Sequence, residues 1–345
     1  MSAKHPSTLI VSFSVLSAIL FFAVLSITAP KSEKPEVNSS NFNFSTPTSV
    51  AVDDSGNVYV LDQRGVKEFT SNGNLISTYP LPYHDLRPPD QIALDEATGY
   101  IYVADWSGDQ ILKFEMGSYT ENSTIQTTQL VTSRANIGLL AMPMGVAVDH
   151  SGNVYLSDGG DSQIVKFDRF GRFVSSGGRM GWDKGYLNMP MDLAFDDSGN
   201  LYVCEVIGVQ KYSPSGEFLM MISAYPPNYG MGDGQLDYAS GVTVDHQGNV
   251  FVADSRNDRV QVFGPDGSFI IKWGSTGSQN GQFWLPSGIA VDNKGYVYVA
   301  DCGNDRIQKF TSNGVFVTAW GIPKIQRIPL KNLETRHEGW PYDLR

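Results

Sequence analysis

The sequence predicts an all-β fold: a six-bladed β-propeller of four-stranded antiparallel blades, preceded by an N-terminal hydrophobic export or anchor helix. Three observations predict it. One phrase recurs six times, the copies begin about 40 to 55 residues apart, and each copy is rich in strand-forming residues. A period of this length filled with strands is typical of a radial array of sheets. The copies begin at Pro47, Pro89, Pro143, Pro190, Ala239 and Pro286.

The N-terminal segment precedes the repeats and has a different composition. Lys4 is the only charged residue among residues 1–30, and an apolar run extends from Leu9 to Ala29. A basic start followed by such a run predicts a signal peptide or an uncleaved signal anchor. Residues 31–41, rich in Lys, Glu, Pro, Asn and Ser, suit a flexible linker. We therefore expect an extracytoplasmic protein that is membrane-anchored through residues 9–29 or secreted.

Each repeat predicts four strands, which together fill residues 42–321 and leave 322–345 as a C-terminal tail. In the first copy a strand ends at Asp53, and Gly56 allows the chain to turn back. The second strand, Val58–Asp62, is almost continuously apolar, so we expect burial on both faces. A third strand ends in an aromatic residue and a shorter fourth strand follows. We expect one terminus to close the ring with a strand, from Asn41–Phe44 or from Ile322–Arg345.

Charge and cysteine content exclude several classes of protein. The net charge of −11 argues against nucleic acid, whose phosphates need a basic face. Cys204 and Cys302 fall in the fourth and sixth repeats, which are not neighbours in the ring. A disulfide needs Cα atoms within about 7 Å, so we expect both thiols to be free and mostly buried.

The segment Pro286–Ile307 reads Pro-x-Gly-Ile-Ala-Val-Asp-x-x-Gly-x-Val-Tyr-Val-Ala-Asp-x-x-Asn-x-Arg-Ile and resembles the NHL repeat. The fifth repeat is similar, with Asn257 and Arg259 in place, whereas repeats one to four lack the Asn-x-Arg part. The resemblance implies the six-bladed fold, but it leaves the activity open, because NHL proteins range from enzymes to RNA-binding and sensor domains. The YWTD propellers are a more distant alternative, since the Trp is missing.

An acidic residue ends the second strand of every repeat. One acid per blade places the set on a wide circle, so the six cannot converge on one small ligand. In repeats five and six, Arg259 and Arg306 follow five residues later and can pair with the acid across the turn. We interpret these acids as structural residues of the turns.

The residue just inside each first strand should rim the central channel, and the next position varies. These positions are candidate ligand-binding residues, and the acids among them could bind a divalent cation at the channel mouth. The candidates are Thr48, Asp90, Gln91, Met144, Met191, Asp192, Ser240 and Ser287.

The connections between blades lie at the same end as the rim and are long and dissimilar. Variable loops that carry aromatic residues on a rigid scaffold are common binding surfaces. The candidates on this loop-rich face are His84, Trp106, Trp182, Tyr186, Tyr229 and Trp284. The opposite end carries uniform Asp-x-x-Gly turns.

The sequence favours a binding, interaction or sensor scaffold for a protein or small-molecule ligand, with no cofactor predicted and no catalytic residue identified. Two alternatives stay open. The first is an extracytoplasmic metal-dependent lyase or lactonase at the channel mouth, although the zinc-binding histidines of NHL-related lyases have no counterpart at the six rim positions. The second is RNA binding, as in tripartite-motif relatives, which export and acidity disfavour.

Overall fold

The computed structural model describes residues 42–81, 91–117, 128–132, 140–206, 208–223 and 230–321, with the backbone alone for residues 128–132. These residues form six four-stranded antiparallel sheets, as the sequence predicts. The predicted export segment 1–30, linker 31–41 and tail 322–345 lie outside the described residues. Within the described ranges, no helix is long and apolar enough to cross a membrane.

Each blade draws its four strands from one continuous stretch of chain. Blade 1 contains β1 (Ser49–Val52), β2 (Val58–Asp62), β3 (Gly65–Phe69) and β4 (Leu75–Pro80). Blade 2 contains β5 (Gln91–Asp95), β6 (Tyr100–Asp105), β7 (Gln110–Glu115) and β8 (Thr128–Thr132). Blade 3 contains β9 (Pro143–Val148), β10 (Val154–Asp158), β11 (Gln163–Phe167) and β12 (Phe173–Gly177).

The second half of the ring repeats this order. Blade 4 contains β13 (Pro190–Phe195), β14 (Leu201–Glu205), β15 (Gly208–Tyr212) and β16 (Phe218–Ile222). Blade 5 contains β17 (Ala239–Val244), β18 (Val250–Asp254), β19 (Arg259–Phe263) and β20 (Phe269–Trp273). Blade 6 contains β21 (Pro286–Val291), β22 (Tyr296–Asp301), β23 (Arg306–Thr311) and β24 (Phe316–Trp320). Short 3₁₀ turns, Ser255–Asn257 and Cys302–Asn304, follow β18 and β22.

The ring closes in a way that the sequence did not predict. Among the described residues, sheets 1 and 6 each contain four strands from their own repeat, so residues 42–44 do not supply the expected strand. The alternative, Ile322–Arg345, lies outside the described residues. Instead, the first strands of blades 6 and 1 touch directly, and the Gly288 N–H donates to the Thr48 carbonyl at 2.9 Å. A Cβ on Gly288 would lie 2.5 Å from Ser49 Cα, so this approach requires glycine.

Phe44 completes the closure through its side chain. It is 1% exposed and packs with Phe69 of blade 1 and Trp320 of blade 6. The ring centroids of Phe44 and Phe69 are 5.6 Å apart, and those of Phe69 and Trp320 are 6.5 Å apart. Phe44 thus contributes to the seam through an aromatic cluster rather than through a strand, and burial of several rings stabilises it.

Packing between blades forms the rest of the core. The second strands β2, β14 and β18 are buried along their whole length, as predicted. Both cysteines, Cys204 and Cys302, are free and buried, which confirms the prediction for them.

The Asp-x-x-Gly turns have the predicted structure. In blade 1 the Asn57 N–H donates to Asp53 Oδ1 at 2.7 Å, and Gly56 has a φ of 85°. A carboxylate that binds turn N–H groups and a glycine in the left-handed region together fix this reversal. These turns occupy the end opposite to the inter-blade connections.

Candidate functional site

The inter-blade connection 274–285 is held by a buried group of side chains in blade 6. Asp301 accepts hydrogen bonds from the Trp284 N–H at 2.8 Å, from Arg306 Nε at 2.7 Å and from Gln308 Nε2 at 3.0 Å. Arg306 then donates through its two terminal nitrogens to the carbonyls of Ser278, Gln279 and Gln282. The acid and the arginine therefore fix the loop to the blade, and the predicted structural role of this pair is confirmed.

Blade 5 repeats this arrangement for connection 230–238. Arg259 Nε donates to Asp254 Oδ2 at 2.6 Å, and the guanidinium also binds carbonyls of the loop, including that of Gln235 at 2.7 Å. Gln261 adds a hydrogen bond from Gly234 N–H to its Oε1 at 2.9 Å. The same two residue types at the same spacing thus hold two successive loops.

Blade 4 holds connection 178–189 with a glutamine and a glutamate. Gln210 Oε1 accepts from the Gly185 N–H at 2.9 Å, and its Nε2 donates to the Tyr186 carbonyl and to Glu205. Burial raises the pKa of Glu205 to about 7. Burial also raises the pKa of Asp301 to about 6, against the opposing effect of Arg306. These two carboxyl groups accept hydrogen bonds from the loops, and they do not line an open site.

The described rim candidates are all buried, each at most 8% exposed. The side chains of Gln91, Asp192, Ser240 and Ser287 hydrogen-bond to other blades. Ser287 Oγ donates to the Thr48 carbonyl at 2.6 Å, from blade 6 to blade 1. Ser240 Oγ donates to the Pro286 carbonyl at 3.2 Å, from blade 5 to blade 6. The two serines therefore join adjacent first strands. Asp90 lies outside the described residues.

Gln91 spans the channel. Its Oε1 accepts a hydrogen bond from Ser49 Oγ in blade 1, and its Nε2 donates at 3.4 Å to the Ser240 carbonyl in blade 5. Blades 2 and 5 are opposite in a ring of six. At this level the channel is thus narrow enough for one side chain to cross it.

Asp192 joins blades 4 and 5. Its Oδ2 accepts from the Val242 N–H at 2.9 Å and its Oδ1 accepts from the Leu193 N–H at 2.9 Å. Burial raises its pKa to about 7, although both backbone N–H groups favour the charged form.

The rim methionines pack in an apolar group. Met144 and Met191 are buried with Met189, Val206 and Tyr238. Across the described ranges, no group of three or more His, Cys, Asp or Glu side chains could hold a metal ion.

The loop-rich face carries exposed apolar side chains on two adjacent connections. Trp182, a predicted candidate, is 48% exposed, and Met180 and Met231 are 75% and 79% exposed. Trp106, Tyr186 and Trp284 are partly buried, and His84 and Tyr229 lie outside the described residues. Sequence reasoning concentrated on aromatic residues and missed the two methionines. Their position, between a Gly and the next Gly of their connections, was the available signal.

The NHL repeat family model matches residues 236–263 and 283–310, which belong to blades 5 and 6. Over 43 residues the chain is 54% identical to protein lin-41 of Caenorhabditis elegans. That match covers 12% of this chain and 4% of lin-41, so the chain spans only a small part of that relative.

Solved structures resemble this chain over most of its length. A virginiamycin B lyase from Staphylococcus aureus has a TM-score of 0.55 at 15% identity, covering 84% of this chain and 88% of that one. A protein of unknown function from Bacteroides thetaiotaomicron has a TM-score of 0.59 at 16% identity, covering 80% and 73%. A nidogen/laminin complex has a TM-score of 0.51 at 19% identity, covering 71% and 84%. At these identities the likeness concerns the fold. The chain is a six-bladed β-propeller that carries NHL repeats.

Proposed function

We propose that this protein is an exported, membrane-anchored interaction scaffold, which binds a protein partner through its loop-rich face. The observation that carries the proposal is the group of exposed apolar side chains, Met180, Trp182 and Met231, on two adjacent connections. Tryptophan and methionine are enriched where proteins bind one another, and exposed apolar groups are costly without a use.

The rigidity of the connections supports a preformed binding surface. Gln210 holds the loop that carries Trp182, and Arg259 holds the loop that carries Met231. A loop that is already ordered loses less conformational entropy when a partner binds.

The rim geometry favours a protein partner over a small ligand in the channel. Ser240, Ser287 and Asp192 use their polar atoms between blades, and Gln91 crosses the channel. A small ligand at the described rim would have to displace these hydrogen bonds, whereas a partner at the loop tips would not.

The anchor belongs to the same proposal. The apolar run 9–29 would place the propeller outside the membrane at the end of linker 31–41. Extraction of membranes with alkaline carbonate tests this part, since an anchored chain stays in the membrane pellet.

Site-specific photo-crosslinking in the source cells tests the binding face. We expect p-benzoylphenylalanine at position 182 to give one discrete adduct of higher mass, which the double variant Met180→Ser, Met231→Ser reduces at least fivefold. The matched control carries the same amino acid at position 315, because Val315 is 58% exposed in the turn between β23 and β24, at the opposite end. Equal adducts from positions 182 and 315 would overturn the proposal.

A further inference from the structure

One position of the fourth strand distinguishes blade 3. In four other blades a large side chain stands opposite the second residue of the third strand: Tyr79 pairs with Val66, Ile222 with Val209, Trp273 with Val260 and Trp320 with Ile307. The same register in blade 3 pairs Ile164 with Gly177.

These large side chains fill the cleft toward the next blade. Trp320 is 2% exposed and packs in one cluster with Phe69 of blade 1. Trp273 lies 5.8 Å, ring centroid to centroid, from Phe310 of blade 6. Tyr79 and Ile222 are each 1% exposed and pack against blades 2 and 5. In each of these four blades a side chain of the outermost strand thus packs toward the next blade, although a smaller cavity of about 490 Å³ remains between blades 5 and 6.

Gly177 leaves the cleft between blades 3 and 4 open. A Cβ on Gly177 would have no atom within 4 Å. A cavity of about 680 Å³ lies there, within the range of about 300 to 1,000 Å³ common for ligand sites. Tyr155, Ile164 and Lys166 line it from blade 3, and Phe195, Leu201 and Tyr212 line it from blade 4.

Tyr155 shows the consequence of the missing side chain. It is only partly buried, whereas the tyrosines at the same strand position in blades 1, 2, 4 and 6 are buried. Its ring meets Phe195 edge to face, with centroids 4.9 Å apart. Tyr155, Phe195 and Tyr212 thus line part of the cavity with aromatic rings. In blades 1, 5 and 6 a phenol or indole ring of the fourth strand occupies the matching place. An aromatic side chain has the right chemistry to fill the cavity.

The chain segment that contributes residues 175–178 to the cavity is basic, in contrast to the chain as a whole. Residues 169–184 contain Arg169, Arg172, Arg179 and Lys184 against one acid, Asp183, in a chain of net charge −11. Arg172 pairs with Asp168 at 2.7 Å, so the excess positive charge comes from the other three basic residues. Strand β12 lies within this segment and is exposed along its whole length. At the inner end, Lys166 Nζ lies 4.8 Å from the centroid of Tyr155 and 3.9 Å from Asp149.

Strand β12 also offers backbone groups. Among the described residues it is the terminal strand of its sheet, so one edge can pair with an added strand. A peptide can use this edge, whereas a nucleic acid has no matching backbone. Both an acidic peptide and RNA carry the negative charge that suits the basic segment 169–184. Edge pairing favours the peptide.

We propose that the cleft between blades 3 and 4 binds an extended acidic segment of a partner protein, which inserts one aromatic side chain beside Gly177 and places its carboxylates on the basic segment 169–184. The cavity beside Gly177 is separate from the loop tips proposed above, whereas the basic segment 169–184 includes Met180 and Trp182, so the two surfaces adjoin. Filling the cavity at Gly177 changes neither of these loop residues, and it therefore tests this site by itself.

Isothermal titration of the full chain in detergent tests the proposal with three synthetic peptides. The first is acetyl-Glu-Glu-Trp-Glu-Glu-amide, the second has Ala for Trp, and the third has Lys for every Glu. We expect the first to bind, the other two to bind at least tenfold more weakly, and the affinity of the first to fall with salt. No binding of the first peptide at 1 mM, or equal binding of all three, would overturn the proposal.

Two variants fill the cavity from inside. We expect Gly177→Trp, which copies Trp273 and Trp320, to weaken binding of the first peptide at least tenfold and to raise the melting temperature. Gly177→Ile copies Ile222 and serves if the indole proves too large. The matched control, Val317→Trp, adds the same ring to the exposed outer strand of blade 6 and should leave binding unchanged.

If a folded Gly177→Trp or Gly177→Ile variant kept full affinity for the first peptide, the assignment of the peptide's aromatic side chain to the cavity beside Gly177 would be refuted. A single-stranded oligouridylate that binds more tightly than the first peptide, with equal affinity for both variants, would assign the basic segment to nucleic acid instead.

Discussion

Asp192 and Asp301 are both buried carboxyl groups, but their partners differ. Asp301 faces the Arg306 guanidinium at 2.7 Å, whereas Asp192 accepts hydrogen bonds from the backbone N–H groups of Leu193 and Val242. Backbone dipoles compensate the burial of a charge less fully than an opposite charge does. Burial accordingly raises the pKa of Asp192 to about 7 and that of Asp301 to about 6.

The raised pKa of Asp192 predicts a stability that falls as pH rises. Between about pH 4 and pH 7 the folded protein keeps a proton that the unfolded chain has released, so deprotonation favours unfolding. Asp192→Asn cannot ionise, and we expect the stability of the wild type relative to this variant to decline by on the order of 4 kcal/mol from pH 4 to pH 8. Urea unfolding of both proteins across this range measures the decline. A stability difference that stays constant with pH would contradict the prediction.

At the scale of elements, the buried acid and arginine explain how long connections stay ordered. Connection 274–285 has no regular strand of its own, yet Arg306 binds three of its carbonyls and Asp301 binds the Trp284 N–H. Arg306 therefore supports both its own blade and the loop before it.

Arg306→Ala should destabilise the protein strongly. Removal of the guanidinium leaves Asp301 buried without its opposite charge and leaves loop carbonyls unpaired, for which we expect a loss of about 3 to 5 kcal/mol. Arg172→Ala is the matched control, since Arg172 pairs with Asp168 at 2.7 Å but its side chain is 75% exposed. For that variant we expect a loss of at most about 1 kcal/mol. Chemical denaturation measures the free energy of unfolding of both variants. Similar losses of stability would show that burial of the arginine does not determine how much its removal destabilises the protein.

At the scale of the whole molecule, the ring depends on one seam. Blades 1 and 6 come from opposite ends of the propeller sequence and meet through the Gly288–Thr48 hydrogen bond and the cluster of Phe44, Phe69 and Trp320. Every other junction joins blades that are consecutive in the chain. Contacts at this seam therefore have to offset the conformational entropy that the chain loses when the two ends of the propeller are brought together.

Phe44→Ala should open the seam first. Loss of this ring from a buried cluster is expected to cost about 3 to 5 kcal/mol. Hydrogen exchange should increase most in β1 and β24, which flank the seam. Phe170→Ala, at a side chain that is 73% exposed, is the control and should change neither stability nor exchange appreciably. An increase spread evenly over all six blades would argue against a local seam.

Much of this architecture follows from local sequence. The Asp-x-x-Gly turns, the buried second strands and the pairing of Arg306 with Asp301 are all predictable from one repeat, because each involves residues close in the chain. The free cysteines follow from the order of the repeats in the ring. The candidate site is less predictable. The rim positions were identified, but their use by neighbouring blades depends on residues as distant as Gln91 and Ser240.

The sequence by itself thus determined the six blades, their turns and the NHL character of the last two, since hydrogen bonding within a blade is encoded over a short stretch of chain. Only the tertiary structure decided how the ring closes, which rim side chains are engaged between blades, and that the cleft at Gly177 is open. The physical reason is that these features depend on what the adjacent blade contributes. A glycine such as Gly177 leaves a cavity only where no side chain of the adjacent blade fills the space beside it.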